Sequence, residues 1–140
     1  MKYGQLNAHL IEELQRLLQI PVKYDEESLD RYSRDETAEV KAVRPEVITF
    51  PVSTAEVSKI MRFANEHLIP VTPRGAGTGL SGGAVPSFRG IVMSFEKMNK
   101  ILEFDEANMM ITLEPGVITG EIQKLADRHN LVYGGDPCSS

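Results

Sequence analysis

The stretch that decides the fold runs from Val47 to Gly83: VITFPVSTAEVSKIMRFANEHLIPVTPRGAGTGLSGG. It opens on a short β-rich run, Val47–Phe50, bounded by Pro45 and Pro51, which reads as a buried strand. Ser53-Thr54-Ala55-Glu56 follows as a capping box. The Ser53 hydroxyl can accept the Glu56 N–H, and the Glu56 carboxylate can reach back to the start of the helix. Val57, Ile60, Met61 and Ala64 then mark one apolar face of a helix reaching about Asn65. A second strand, Ile69–Thr72, runs straight into a segment with glycines at 75, 77, 79, 82 and 83. Strand, helix and strand in so short a span form a βαβ unit, which predicts that the two strands run parallel.

Upstream, Leu6, Leu10, Leu14, Leu17 and Leu18 recur at helical spacing and predict an amphipathic helix over 7–19, closed by Pro21. Residues 22–36 are polar and acidic, with room for one short helix before a loop. Downstream, Ile91–Phe95 reads as a strand. Ile101–Phe104 and Met109–Leu113 read as the arms of a hairpin turning at Asp105–Asn108. Thr119 is placed to cap a helix whose Ile122, Leu125, Ala126 and His129 share a face. Leu131–Tyr133 suggests one more strand. Met93, Met98, Met109 and Met110 alternate with apolar neighbours and read as core filling. The fold class is α+β: an N-terminal βαβ subdomain followed by a more antiparallel strand region.

The 140 residues suffice for one domain with a core of its own. A net charge of −5 with scattered lysines and arginines argues against a nucleic-acid or anionic-membrane surface. No apolar run approaches the ~20 residues of a membrane span, and the N-terminus lacks the apolar core of a signal peptide. The single cysteine, Cys138, excludes an internal disulfide and fits a reducing compartment, so a cytoplasmic location is expected. His9, His67 and His129 lie in or beside predicted helices and read as packing or surface residues. Glu103, Asp105 and Glu106 read as a solvated hairpin tip. No metal site is expected.

Pro73-Arg-Gly-Ala-Gly-Thr-Gly-Leu-Ser-Gly-Gly83 is unlike the rest of the chain. A phosphate loop of the NTPase type needs a lysine, and none stands between Lys59 and Lys97. Gly77-Thr-Gly79-Leu-Ser-Gly82 matches the dinucleotide fingerprint GxGxxG by letter. That fingerprint works only where the loop opens a helix, and residues 83–90 cannot hold a long one. The remaining mechanism is a loop that wraps a diphosphate with its own N–H groups, aided by the Thr78 and Ser81 hydroxyls and by Arg74 at the loop mouth. A plain glycine-rich surface turn is the bland alternative. It carries the entropic cost of ordering that many glycines without using them.

Residues 73–83 resemble the pyrophosphate loop of FAD-linked 2-hydroxy-acid oxidoreductases: the FAD-binding D subunit of glycolate oxidase, its D-lactate dehydrogenase relatives, and the wider vanillyl-alcohol oxidase and p-cresol methylhydroxylase fold. AVRPEVITFPVSTAEVSKIMRFANEHLIPVTPRGAGTGLSGGAVP is similar to the family's N-terminal subdomain. GIVMSFEKMNKILEFDEANMMITLEPGV resembles the strands that follow, and DPCSS a second flavin-contacting segment. The resemblance covers roughly residues 40–140, with 1–39 as a helical leader.

The resemblance implies an incomplete FAD-binding domain of the vanillyl-alcohol oxidase type, whose cofactor FAD is held by Pro73, Arg74, Gly75, Ala76, Gly77, Thr78, Gly79, Leu80, Ser81 and Gly82. By the same carry-over, Asp136, Pro137 and Ser140 lie near the flavin. Some relatives attach the flavin through a His in this loop. Here Thr78 stands near that place, so the FAD is expected to be non-covalent. Family members continue for several hundred residues and supply the substrate base elsewhere, so no catalytic residue is assigned and the chain is expected to be a truncated piece. In the complete enzyme a hydride equivalent would pass from the α-carbon of a 2-hydroxy acid to the flavin. A non-catalytic remnant or interaction module with the same fold is the alternative. A nicotinamide-dependent enzyme is the less favoured one. Truncation is expected to expose a sheet edge and apolar surface, weakening FAD binding and promoting self-association.

Overall fold

A computed structural model describes residues 3–18 and 21–135. In chain order the elements are α1 (Ala8–Leu17), α2 (Glu26–Arg31), β1 (Val47–Thr49), α3 (Thr54–Glu66), β2 (Val71–Arg74), β3 (Ile91–Ser94), β4 (Ile101–Asp105), β5 (Met110–Leu113) and α4 (Thr119–Arg128). β1 and β2 run parallel, as expected, but they are not neighbours. β3 inserts between them and pairs in parallel with both, giving the order β1-β3-β2. The strand that seemed to open the antiparallel region therefore completes the parallel sheet. The chain reaches it from β2 through residues 75–90, a crossover that contains the glycines and no helix.

The central strands are apolar on both faces because both faces are covered. Successive side chains alternate across the sheet. Val47, Ile91 and Met93 face a cluster with Leu14 of α1 and Ile60, Phe63 and Ala64 of α3. Ile48 and Val92 face the other way, toward Phe50, Tyr32 and the partly buried Leu29 of α2. Two layers thus enclose β3, which is buried along its whole length.

The capping box forms with one change. Ser53 Oγ accepts the Glu56 N–H at 3.3 Å, while Glu56 Oε2 accepts the Val52 N–H at 2.9 Å, one residue further back than the cap itself. At the far end of α3 the His67 ring packs on Phe63, with centroids 4.7 Å apart, and Leu68 turns left-handed (φ 55°). The Ile69 N–H then closes on the Ala64 carbonyl at 2.8 Å.

β4 and β5 form the expected antiparallel hairpin, with Asp105 accepting the Asn108 N–H at 3.0 Å and its side-chain amide at 2.7 Å across the turn. Other expectations fail here. Thr119 is the first residue of α4, and the N-cap is Ile118, which has no side chain to cap with. Residues 131–133 form no strand. Met93 and Met98 are buried, but Met109 and Met110 are 77% and 59% exposed. Among the described residues α4 approaches their hairpin but leaves Met109 and Met110 at the open rim of an apolar pocket, so apolar alternation there does not produce burial. The acidic tip is also less simple than expected, since Glu106 Oε2 meets His129 Nδ1 at 2.9 Å. No group of carboxylates, His and Cys suited to a metal occurs among the described residues.

Candidate functional site: the glycine loop

Pro73 and Arg74 belong to the end of β2, and the loop proper starts at Gly75. It leaves the C-terminal end of a parallel strand, where open α/β sheets place their ligands. Ala76, Thr78, Gly79, Leu80 and Ser81 are exposed, Leu80 at 69%. Two glycines are required by backbone conformation. Gly77 has φ 79° and Gly82 has φ 74°, a region that β-carbon-bearing residues rarely adopt. A β-carbon at Gly77 would also run into the Arg74 guanidinium, and one at Gly82 would stand 2.8 Å from a Val40 methyl. At Gly75 and Gly83, by contrast, a β-carbon would meet open space, so these positions keep the backbone bare on its outer side.

Arg74 stands at the start of the loop and is held on its underside. Its guanidinium tucks between Gly77 and the Tyr32 ring, 5.3 Å from the ring centroid, and donates to the Arg34 carbonyl at 2.7 Å. Burial pulls its pKa below the ordinary guanidinium value, against the opposing pull of Tyr32, Asp35 and Glu96. Tyr32 in turn donates its hydroxyl to Glu96 at 2.7 Å. Burial, then the Glu96 carboxylate, push the Tyr32 phenol above its usual range, so it stays a donor at neutral pH. Glu96 also accepts from the fully buried Ser94 at 3.4 Å. Arg74, Tyr32 and Glu96 thus form a fixed base under the start of the loop. Beside it opens a cleft of about 180 Å³ lined by Gly75, Ala76, Glu96, Asn99, Gly116 and Glu121.

A second surface contacts the loop from the other side. The Glu36 N–H donates to the Gly79 carbonyl at 3.1 Å, Val40 packs against Gly82, and Asp35 lies close to Gly79. The sequence gives little warning of this: residues 22–36 read as a polar, acidic stretch ending in a loop, yet Ser33 and Asp35 are only 2% and 8% exposed. A polar side chain does not announce burial in the way an apolar period does. Asp136, Pro137 and Ser140, and Cys138 between them, lie outside the described residues.

The geometry offers amide donors and bare backbone on an exposed rim, with positive charge held beneath, and this suits a diphosphate. Residues 45–140 match the FAD binding domain family, and the chain belongs to that family. FAD is accordingly the cofactor of the domain. The chain is 36% identical to a D-lactate dehydrogenase of Anaerostipes hadrus, over 97% of this chain and 29% of that protein. It is 38% identical to the glycolate oxidase subunit GlcD of Bacillus subtilis (strain 168), over 89% of this chain and 27% of the relative. Among solved structures, p-cresol methylhydroxylase with substrate bound superposes with a TM-score of 0.74 at 26% identity, covering 88% of this chain and 25% of that one. The fold is therefore that of an FAD-binding domain of the vanillyl-alcohol oxidase type. The chain spans between a quarter and three-tenths of the length of these proteins. No helix among the described residues is long and apolar enough to cross a membrane.

Proposed function

We propose that this chain is the diphosphate-holding segment of a flavin-dependent oxidoreductase acting on 2-hydroxy acids, of the glycolate oxidase or D-lactate dehydrogenase type. The observation that carries this reading is the exposed loop at the end of β2, fixed from beneath and bare on its outer side. Residues 73–82 take distinct parts in it. Gly75 keeps the backbone open to the phosphates, Gly77 and Gly79 let the loop lie close over Arg74 and Asp35, and Thr78 and Ser81 add hydroxyl donors. Pro73, Ala76, Leu80 and Gly82 shape the turn, and Arg74 supplies a positive charge from below. Asp136, Pro137 and Ser140 complete the flavin side by family resemblance.

When bound, FAD supplies the acceptor for the hydride equivalent that leaves the substrate's α-carbon. The chain's own residues bind and orient that cofactor, and we assign none of them to proton abstraction. Residues 73–83 contain neither His nor Cys, which supports non-covalent attachment. We also infer that the family's domain begins near residue 40 with the helical segment 1–39 packed onto it, since Leu14 and Tyr32 lie in its two core clusters, and that the location is cytoplasmic. The apolar hairpin surface at Leu102, Met109 and Met110 supports self-association.

The test is a titration of the chain with FAD, read by flavin fluorescence and thermal shift, with NAD as control. Saturable FAD binding that Gly77→Val abolishes supports the reading. Equal responses to FAD and NAD, or binding indifferent to Gly77→Val, would count against it.

A further inference from the structure

The glycine loop is gripped along its length by residues 33–43, which the FAD reading does not use. At the loop's entry the Arg34 carbonyl accepts the Arg74 guanidinium at 2.7 Å. In the middle the Glu36 N–H takes the Gly79 carbonyl at 3.1 Å. At the exit Val40 fills the space beside Gly82 that any side chain there would need. The segment is itself closed, the Val43 N–H donating to the Ser33 carbonyl at 3.0 Å. Asp35 sits at its centre. One carboxylate oxygen accepts the Thr37 N–H at 3.0 Å, while the other is shielded from solvent beneath Gly79 without a well-formed hydrogen bond of its own.

These contacts sort the loop's amides into two sets. A trans peptide is planar, with its C=O and N–H pointing in opposite directions. Because Glu36 draws the Gly79 carbonyl inward, the Leu80 N–H must point outward, toward the exposed rim. The Ala84 N–H faces the opposite way, close enough to Asp35 to act on its carboxylate. Burial raises the Asp35 pKa, but the N–H groups of Thr37 and Ala84 outweigh it and hold the carboxyl below its ordinary value. The anion at Asp35 is therefore held behind the loop, where it would not touch a bound diphosphate but can fix the backbone that does.

We infer that residues 33–40 are a positioning strap for the diphosphate loop and that Asp35 is its anchor. The inference rests on the FAD reading for the identity of the ligand, but not for the strap itself. Asp35 is a positioning residue: it acts through the loop amides and not by contact with the cofactor.

The experiment uses the 140-residue chain as wild type, Asp35→Ala and Asp35→Asn. Each is titrated with FAD and, separately, with inorganic pyrophosphate, and amide hydrogen exchange is followed over residues 79–84. Asp35→Ala should weaken FAD and pyrophosphate by a similar factor, about tenfold or more. It should also speed exchange in the loop while leaving β3 protected. Asp35→Asn keeps an acceptor for the Thr37 N–H and should recover most of both effects. Loss of FAD affinity with pyrophosphate affinity unchanged or improved would make Asp35 a direct cofactor contact and overturn the inference. Unchanged loop exchange in Asp35→Ala would overturn it whatever the ligand. A wild type that binds no FAD, with loop exchange still faster in Asp35→Ala, would defeat the FAD reading and leave the strap standing.

Discussion

The parallel sheet and the hairpin are built from similar letters and end in opposite environments. β3, Ile91–Ser94, is buried at every position, and so is β1. β4 begins Ile101-Leu102 and β5 begins Met110-Ile111, yet Leu102 and Met110 are each 59% exposed. The difference lies in what covers each sheet. α1 and α3 close one face of β1-β3-β2, and Tyr32, Phe50 and Leu29 close the other. α4 lies nearest the hairpin, where His129 packs on Phe104 at 4.6 Å, but the outer face carries no second layer among the described residues. Apolar residues specify a layer, and burial depends on a second layer being there to meet it.

If that is right, the largest effect comes from the covered sheet. Ile91→Ala, at zero exposure, should cost about 2–5 kcal/mol in denaturant unfolding. Leu102→Ala should stay within about 0.5 kcal/mol. Comparable costs at the two sites would break the comparison. Next in size is the capping box. Ser53→Ala should cost about 1 kcal/mol, and Ser53→Asp much less, since aspartate also accepts the Glu56 N–H. On the exposed side, Met109→Gln with Met110→Gln should leave the melting temperature nearly unchanged but lower the apparent mass in light scattering at high concentration. A wild type that is monomeric at all concentrations would remove the self-association reading.

The smallest effect is at the hairpin turn. The Asn108 side chain, then its backbone N–H, hold the Asp105 carboxyl below its ordinary value. A lowered folded-state pKa stabilises the turn fully above the unfolded value, about 3.9. That contribution is lost as pH falls through the lower folded value. Amide protection factors in β4 and β5 should therefore fall in acid before those in β3 do. Asn108→Ala removes the larger cause of that lowering, so it should reduce protection already at neutral pH and shrink the further loss in acid.

The same contrast explains what the sequence made legible. Val47–Thr49, Ile91–Ser94 and the Ser53 cap are local signals with one physical outcome, and they form where expected. The insertion of β3 between β1 and β2 was not legible, because register across a parallel crossover is set by long-range pairing and leaves no local mark. Thr119 looked like a cap, but the chain enters α4 one residue earlier, at Ile118. Met109 and Met110 looked like core because period alone cannot report a missing layer. At the candidate site the glycine loop was plain, since residues such as Gly77 and Gly82 mark backbone that others rarely adopt. Its underside was not. Arg74 read as a charge at the loop mouth with no partner named, and Tyr32 and Asp35 belonged to a polar, acidic stretch read as a short helix and a loop. Their roles depend on partners distant in sequence: Tyr32 meets Glu96, and Asp35 lies against Gly79 and Ala84.

The central claim is that the exposed rim of the glycine loop holds the FAD diphosphate. Its most direct test is a map of backbone amide chemical-shift changes as FAD is added to the isotopically labelled chain. The account predicts the largest changes at residues 75–82, weaker ones at Asp35 and Glu36 behind the loop, and little change at β4 and β5. Changes centred on the apolar hairpin and α4, with the loop amides unmoved, would contradict it.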